Sequence, residues 1–283
     1  MDWAEKDTLS RRGFMQYGAG ALAVLCLPLS KVLGKTKIPI ALQLYSVRNE
    51  CQKDFEKTVA AVAKMGYRGV EFAGYFDRTA NQVKDMLNAN GLKCAGTHIQ
   101  LNALIGDELK KTVEFNRVIQ NKFLIVPSLP EARRGTKQAW LETAKLFNEL
   151  AEKVKPYGMQ VGYHNHTAEF KPMDGEIPME LFAGNTNKDV ITQLDIGWAT
   201  AAGADPAAFL KKYPGRALTV HVKEYSSKNR EAFIGEGEVN WNVVFQVCET
   251  AAGTEWYVVE DERRTLQLEG VETDLKNLKK MGK

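Results

Sequence analysis

The sequence predicts an α/β protein, a (β/α)8 TIM barrel in a single domain, on three observations. Short β-branched or apolar runs alternate with longer amphipathic stretches, and this alternation repeats eight times along the 283 residues. No glycine-rich dinucleotide turn follows the first apolar run, which disfavours an open doubly wound sheet. No linker rich in Pro, Gly or Ser and no block of charge divides the chain, so the repeats are expected to close into one barrel.

The predicted strands are the apolar runs, and the predicted helices are the amphipathic segments between them. One helical pattern spaces Phe55, Val59 and Val62 on one face, as a helix lying on a sheet requires. Strands are predicted at residues 38–46, 69–73, 93–100, 122–127, 159–164, 190–196, 217–223 and 256–260. Helices are predicted at residues 54–64, 80–90, 107–119, 137–155, 206–212, 241–251 and 266–281, with a short one at 178–183 after the fifth strand.

Composition excludes several classes of protein. The chain is 44% hydrophobic and 26% charged, which is an ordinary globular balance and not that of a disordered or collagen-like chain. A net charge of +3 lacks the basic excess of a nucleic-acid-binding groove. The expected partner is therefore a small molecule, and no nucleic acid is expected. The sequence leaves homo-oligomerisation open.

The N-terminal segment is predicted to be an export signal. Ser10 precedes the pair Arg11 and Arg12, and an apolar run over residues 19–29 follows, which is typical of a twin-arginine signal. The alternatives are an amphipathic helix or a membrane span, but this run is shorter than the about 20 residues that a span needs. We therefore expect a signal over residues 1–34, a barrel over residues 35–283, a periplasmic location and no stable membrane span.

Cysteine usage predicts no disulfide framework. Beyond the signal the chain keeps Cys51, Cys94 and Cys248, an odd number with no C-x-x-C pair. This agrees with the twin-arginine route, which exports proteins already folded in the reducing cytoplasm. Each thiol is interpreted as a small buried apolar side chain.

Histidines and carboxylates gather at the predicted strand ends, where the loops of such a barrel converge on one cavity. A carboxylate in an apolar barrel mouth is unfavourable unless it is paired or bound to metal, so several together indicate a cation. Any one of them alone could equally be a strand-end residue that builds a loop. The residues concerned are all four histidines, His98, His164, His166 and His221, and the carboxylates Glu71, Asp195 and Glu260.

These motifs, together with Ala41 to Ser46 in the first strand and Val259-Glu260-Asp261 in the last, resemble the sugar phosphate isomerase/epimerase superfamily with its xylose isomerase-like TIM barrel. In that family one divalent metal is held at the ends of strands five to eight by Glu, Asp, His and Glu. The resemblance implies that Asp195, His221 and Glu260 are the ligands from strands six, seven and eight.

The fifth strand departs from the family pattern. Many members read Glu-Asn-His where this chain has His164, Asn165 and His166. His164 would still supply a metal ligand, but it stands in place of a glutamate that serves the epimerases as one of two acid/base groups. Glu169, in the loop after this strand, is the expected replacement.

The ligand set His164, Asp195, His221 and Glu260 predicts one divalent ion, namely Mn²⁺, Zn²⁺, Co²⁺ or Mg²⁺. Such an ion would stabilise an enediolate beside a carbonyl, from which isomerisation, epimerisation and elimination all follow. The expected catalytic residues are Glu169, Glu260 and Lys223. Lys223 would anchor a substrate oxygen or neutralise the intermediate; an ion pair with Glu260 or Asp195 is the alternative.

Four further side chains are expected to contact substrate. They are Glu71, His98, His166 and Trp198, although aromatic residues at a barrel mouth are as often loop packing. The predicted function is a metal-dependent sugar or keto-sugar isomerase or epimerase acting on an unphosphorylated substrate. The alternatives are a lyase or dehydratase on 3-keto-glycosides or inosose, and a non-catalytic periplasmic sugar-binding protein. The DNA-repair branch of the superfamily is rejected, because its trinuclear zinc centre needs more histidines than four.

Overall fold

The computed structural model describes residues 37–263, 265 and 267–283, which form a closed barrel of eight parallel strands. Each strand pairs with its sequence neighbours, and the pairing of the first strand with the last closes the barrel. The predicted (β/α)8 class is confirmed. The strands are β1 (Ile40–Gln43), β2 (Gly69–Phe72), β3 (Lys93–His98), β4 (Phe123–Val126), β5 (Gln160–His164), β6 (Ile191–Asp195), β7 (Thr219–Val222) and β8 (Trp256–Val259).

Helices cover the outside of the barrel. Several begin at a side chain that accepts a hydrogen bond from a backbone N–H of the first turn, as Asp54 does from Lys57 and Thr136 from Ala139. The helices are α1 (Arg48–Lys53), α2 (Phe55–Met65), α3 (Ala80–Ala89), α4 (Glu108–Val118), α5 (Glu131–Arg134), α6 (Lys137–Val154), α7 (Pro178–Asn185), α8 (Ile196–Ala201), α9 (Pro206–Lys212), α10 (Trp241–Val247) and α11 (Gln267–Lys280).

Two of the predicted boundaries that differ from the structure have identifiable local reasons. The first strand ends at Gln43, whose side chain accepts a hydrogen bond from the Tyr45 N–H and thereby begins a 3₁₀ turn over Leu44–Val47. The helix predicted over residues 241–251 is α-helical only to Val247, and a π-helical turn follows over Cys248–Ala252. Neither change affects the order of the strands in the barrel.

The core has two apolar layers because successive side chains of a strand point to opposite faces. The layer between strands and helices includes Tyr163, Trp140 and Phe147. The layer inside the barrel is smaller and separate. Because side chains two residues apart share a face, Glu260 after β8 and Asp195 at the end of β6 also point into the barrel. The apolar layer inside the barrel consists of Ala41, Ala95, Phe123, Ile125, Ile191, Trp256 and Val258.

The predicted export signal, residues 1–34, lies outside the described residues, so the signal and the domain boundary after residue 34 stay predictions. Among the residues that the structure describes, no helix has both the length and the apolar character needed to cross a bilayer.

Candidate metal centre

Four side chains from consecutive strands meet at the C-terminal mouth of the barrel. His164, Asp195, His221 and Glu260 are all buried, and each offers one ligand atom within 4.8 Å of the others. His221 Nδ1 lies 3.0 Å from Glu260 Oε2 and 3.7 Å from Asp195 Oδ2. The structure therefore brings together the four residues that the sequence predicts as metal ligands.

Strand register explains this convergence. Asp195 of β6 lies directly beside His221 of β7, and His164 of β5 lies beside Gln193 of β6. Because Gln193 and Asp195 are two residues apart, both point into the barrel. The side chains at the ends of these neighbouring strands therefore lie close together at the barrel mouth.

The donor set fits a divalent cation. Among the described residues, Asp195 Oδ2 is buried without a hydrogen-bond partner, whereas Oδ1 accepts the Trp198 N–H at the start of α8. A buried carboxylate oxygen with no partner is unfavourable, and burial raises the pKa of Asp195 to about 7. Two imidazoles and two carboxylates are donors that a transition metal accepts. A cation held by these residues would satisfy that oxygen.

The two histidines have opposite electrostatic environments. Burial lowers the pKa of His164 well below its usual value, and the neighbouring histidines reinforce this effect. Burial also opposes charge on His221, but the carboxylates of Glu71 and Glu260 raise its pKa to about 10. His164 is therefore held neutral, as a metal ligand must be, while His221 faces a carboxylate at each ring nitrogen.

Lys223 is held cationic beside the four ligands. Its Nζ lies 3.5 Å from Glu260 Oε2, contacts the carboxylate of Glu262 and lies 4.3 Å from the centroid of the Trp198 ring. Burial opposes its charge, yet Glu260, Asp195 and Glu262 raise the pKa of Lys223. The ion pair with Glu260, one of the two alternatives from the sequence, is therefore present.

Glu169 is placed differently from the other candidate catalytic residues. Its Oε1 accepts a 2.8 Å hydrogen bond from the Tyr163 hydroxyl, and its Oε2 accepts one of 2.8 Å from the backbone N–H of His166. The Tyr163 ring packs against Trp140 in the layer outside the strands. Both oxygens of this buried carboxylate thus hold the loop after β5.

Glu71 and His98 lie within the barrel, in contact with the candidate ligands. Glu71 is fully buried, and its Oε2 lies 2.6 Å from His221 Nε2 and 3.2 Å from His98 Nε2. Sequence reasoning missed two of their partners, Gln43 and Gln193, which both donate to Glu71. Gln193 could have been found because it stands two residues before Asp195 and therefore shares its inward face.

His166 and Trp198 lie at the rim, with ring centroids 6.2 Å apart. Both are half-buried. A cavity of about 880 Å³ is lined by Trp198, Lys223 and Glu260 and by the loops that follow β7 and β8. This volume suits a small organic molecule.

Comparisons with known proteins agree with this barrel fold. The family model described as xylose isomerase-like TIM barrel matches residues 59–281. An inosose dehydratase from Erwinia tasmaniensis is 24% identical over 253 residues, which cover 75% of this chain and 84% of that protein.

Two solved structures share the fold. A sugar phosphate isomerase/epimerase from Parabacteroides distasonis superposes with a TM-score of 0.71 at 26% identity, over 87% of this chain and 95% of that one. The IOLI protein with a binding zinc atom superposes with a TM-score of 0.66 at 13% identity, over 85% of this chain and 96% of that one, which is a likeness of fold alone. Given the extent of the family match, this chain belongs to the xylose isomerase-like TIM barrel family.

Proposed function

We propose that this protein is a divalent-metal-dependent enzyme that isomerises or epimerises an unphosphorylated sugar or keto-sugar. The observation that carries the proposal is the buried group of His164, Asp195, His221 and Glu260, with its unpartnered Asp195 oxygen, at the mouth of the barrel. When bound, Mn²⁺, Zn²⁺, Co²⁺ or Mg²⁺ would stabilise negative charge on substrate oxygens. A protein that only binds sugar has no need of such a group.

The chain's own residues divide the remaining work. Lys223 keeps its charge and is buried next to the ligand group, so it is suited to hold a substrate oxygen on which negative charge develops. Although burial opposes ionisation, Lys223 and His221 hold the pKa of Glu260 well below its usual range. Glu260 is therefore ionised, and we assign it the transfer of the proton beside the carbonyl.

The rim residues supply recognition. The backbone of His166 is fixed by Glu169, and its ring lies beside Trp198, which lines the cavity. We propose that His166 and Trp198 contact the sugar. One face of the Trp198 ring already contacts the Lys223 ammonium, so stacking on a sugar would use the other face.

The charges of the cavity support an unphosphorylated substrate. Its described lining holds six carboxylates but three cationic side chains. Lys223 is paired with Glu260 and Glu262, and Arg263 is bound to Asp261 and Asp274. Arg230 is exposed. A phosphate group would therefore meet an excess of negative charge. The buried cations of the described lining, Lys223 and Arg263, are already paired with carboxylates.

A dehydratase is the second candidate, and the fifth strand favours it. Epimerisation with a carboxylate on each face of the sugar needs a second acid/base carboxylate. His164 replaces one, and both oxygens of Glu169 already accept hydrogen bonds, from the Tyr163 hydroxyl on β5 and from the backbone N–H of His166. Elimination of water or an aglycone needs a base at only one carbon. The inosose dehydratase relative is consistent with this alternative.

One experiment separates the candidates and tests the proposal. The metal-loaded protein is incubated in D₂O with unphosphorylated ketoses, inosose and 3-keto-glycosides, and NMR follows deuterium uptake and product formation. Deuterium beside the carbonyl with a rearranged sugar supports isomerisation or epimerisation, whereas release of water or an aglycone supports the lyase. Equal results with and without metal, or with His221→Ala, would contradict metal-dependent catalysis.

A further inference from the structure

A layer of buried polar side chains lies directly behind the candidate metal ligands. It consists of Gln43 and Glu71 with Gln193 and Thr219, and we call it the inner polar layer. All four are fully buried. The layer contacts the two histidine ligands on the sides of their rings that face into the barrel.

Gln193 can adopt only one orientation of its amide. Its Nε2 donates to Glu71 Oε1 at 2.7 Å and to Thr219 Oγ1 at 2.9 Å, and an ionised carboxylate can only accept. The amide oxygen therefore faces the two rings, with His98 Nε2 at 2.8 Å and His164 Nδ1 at 3.2 Å. Since this oxygen can only accept, both ring nitrogens carry hydrogens. Because Nδ1 of His164 is occupied by this hydrogen bond, Nε2 is the ring nitrogen that stays free to bind an ion.

Glu71 imposes the opposite choice on His221. Its Oε2 lies 2.6 Å from His221 Nε2, which must donate to it. The other nitrogen, Nδ1, faces Glu260 Oε2 and Asp195 Oδ2, the carboxylates of the candidate metal site. His221 is thereby turned so that Nδ1 faces the candidate ligands Asp195 and Glu260.

The barrel wall is built around this carboxylate. At Gly96 on β3, a Cβ atom would lie 2.7 Å from Glu71 Oε1, so only glycine lets the strand approach so closely. Gln43 fixes Glu71 from the other side, with its Nε2 2.7 Å from Oε2. Glu71 is thus held in one position by residues of four strands, β1, β3, β6 and β7.

We propose that Glu71 and Gln193 are positioning residues that make the two histidines bind the metal through different ring nitrogens, His221 through Nδ1 and His164 through Nε2. The inference rests on the metal site of the proposed function and adds to it how the barrel interior sets that site. A hydrogen bond to the far nitrogen fixes the orientation of an imidazole ligand and makes it a better donor.

The test is a direct NMR measurement of the ring nitrogens. The full chain is labelled with ¹⁵N-histidine and loaded with Zn²⁺, and long-range ¹H–¹⁵N spectra report which nitrogen of each ring is protonated. Because the chain has four histidines, the signals lost in the His98→Gln, His166→Gln and His164→Gln variants identify those three rings, and the remaining signals belong to His221. We expect protonated Nε2 and metal-bound Nδ1 in His221, and the reverse in His164. The same nitrogen bound in both rings would overturn the proposal.

Two near-isosteric variants test the cause. Glu71→Gln should weaken Zn²⁺ binding about 10- to 100-fold, and Gln193→Met should leave His164 as a mixture of both protonated forms. Thr219→Val is the matched control. Thr219 accepts a hydrogen bond from Gln193, and its described contacts include no hydrogen bond to His164 or His221. It should change Zn²⁺ affinity less than about threefold, well below the loss expected at Glu71.

The outcomes also separate this inference from the proposed function. Wild-type protein that binds Zn²⁺ through other nitrogens, or Glu71→Gln and Thr219→Val variants with equal affinity losses, would overturn the positioning roles and leave a metal enzyme. Wild-type protein that binds no Zn²⁺ would overturn both. Apparent melting temperatures of the metal-free variants show whether a loss of affinity reflects unfolding. Restored affinity in Glu71→Asp would support a positioning role, because a residue that only fills space would not be replaced by a shorter one.

Discussion

The ammonium of Lys223 lies 4.3 Å from the centroid of the Trp198 ring, while the same nitrogen lies 3.5 Å from Glu260 Oε2. A cation over an aromatic face is attracted by the ring electrons, so Trp198 helps to hold the lysine beside the candidate metal ligands. This contact joins the loop after β7 to the start of α8. It also keeps a positive charge beside those ligands.

Lys223→Met should therefore separate catalysis from metal binding. We expect turnover to fall about 100- to 1,000-fold, as when one electrostatic group is removed from an active site. Metal affinity should stay equal or rise, because a positive charge next to the cation is lost. Lys223→Arg is the control that keeps the charge. Steady-state kinetics and metal titration of the same preparations measure both, and a parallel loss of metal affinity and turnover would contradict this role.

Metal binding should raise the thermal stability of the protein. At a metal concentration about 100 times the dissociation constant, binding adds about 2.7 kcal/mol to the free energy of unfolding. For a chain of this size that corresponds to a rise of about 5–10 °C in melting temperature. His221→Ala should abolish the rise, whereas His166→Ala, outside the four ligands, should keep it. Elemental analysis should find about one divalent ion per wild-type chain and none in His221→Ala.

Glu169→Gln is expected to lower turnover while leaving metal content unchanged. The structure adds an expected loss of stability of about 1–3 kcal/mol, because an amide NH₂ would face one of the two donors that now bind the carboxylate. Tyr163→Phe is the matched control, since it removes one of those donors without touching Glu169. Equal effects of the two variants on stability and turnover would show that Glu169 only holds the loop; a larger loss of turnover in Glu169→Gln would support acid/base catalysis.

Replacing Arg11 and Arg12 together by lysine should block export if residues 1–34 form a twin-arginine signal. The full-length chain should then remain in the cytoplasm, as measured by cell fractionation and immunoblotting. Lys31→Arg, a change of the same chemical size outside the arginine pair, is the control and should be exported normally. Export of the double variant at the wild-type level would contradict the signal.

The barrel was predictable because its signals are local. Apolar runs of about four to eight residues, separated by amphipathic segments, specify strands and helices without reference to distant residues. Period-two alternation also shows that Asp195 and Glu260 share the inward face of their strands. The convergence of the four ligand candidates follows once the barrel closes, because neighbouring strand ends meet at one mouth.

The roles of the polar side chains around those ligands needed tertiary contacts. Glu71 and His221 are 150 residues apart in sequence, and Gln193 lies 122 residues from Glu71. No local pattern reports such pairs. Glu71 was expected to face substrate, whereas its hydrogen bonds lie behind the ligands. Glu169 shows the same limit, because the partner that holds its Oε1 is the outward-facing Tyr163.

The sequence by itself determined the order of strands and helices and the residue types delivered to the barrel mouth, since hydrophobic periodicity acts over a few residues. Only the tertiary structure decided which side chains contact each histidine, which carboxylates remain available and where Lys223 lies. Those features depend on hydrogen bonds and charges between strands far apart in the chain. Such contacts exist only after the closed barrel excludes water and fixes each side chain against its neighbours.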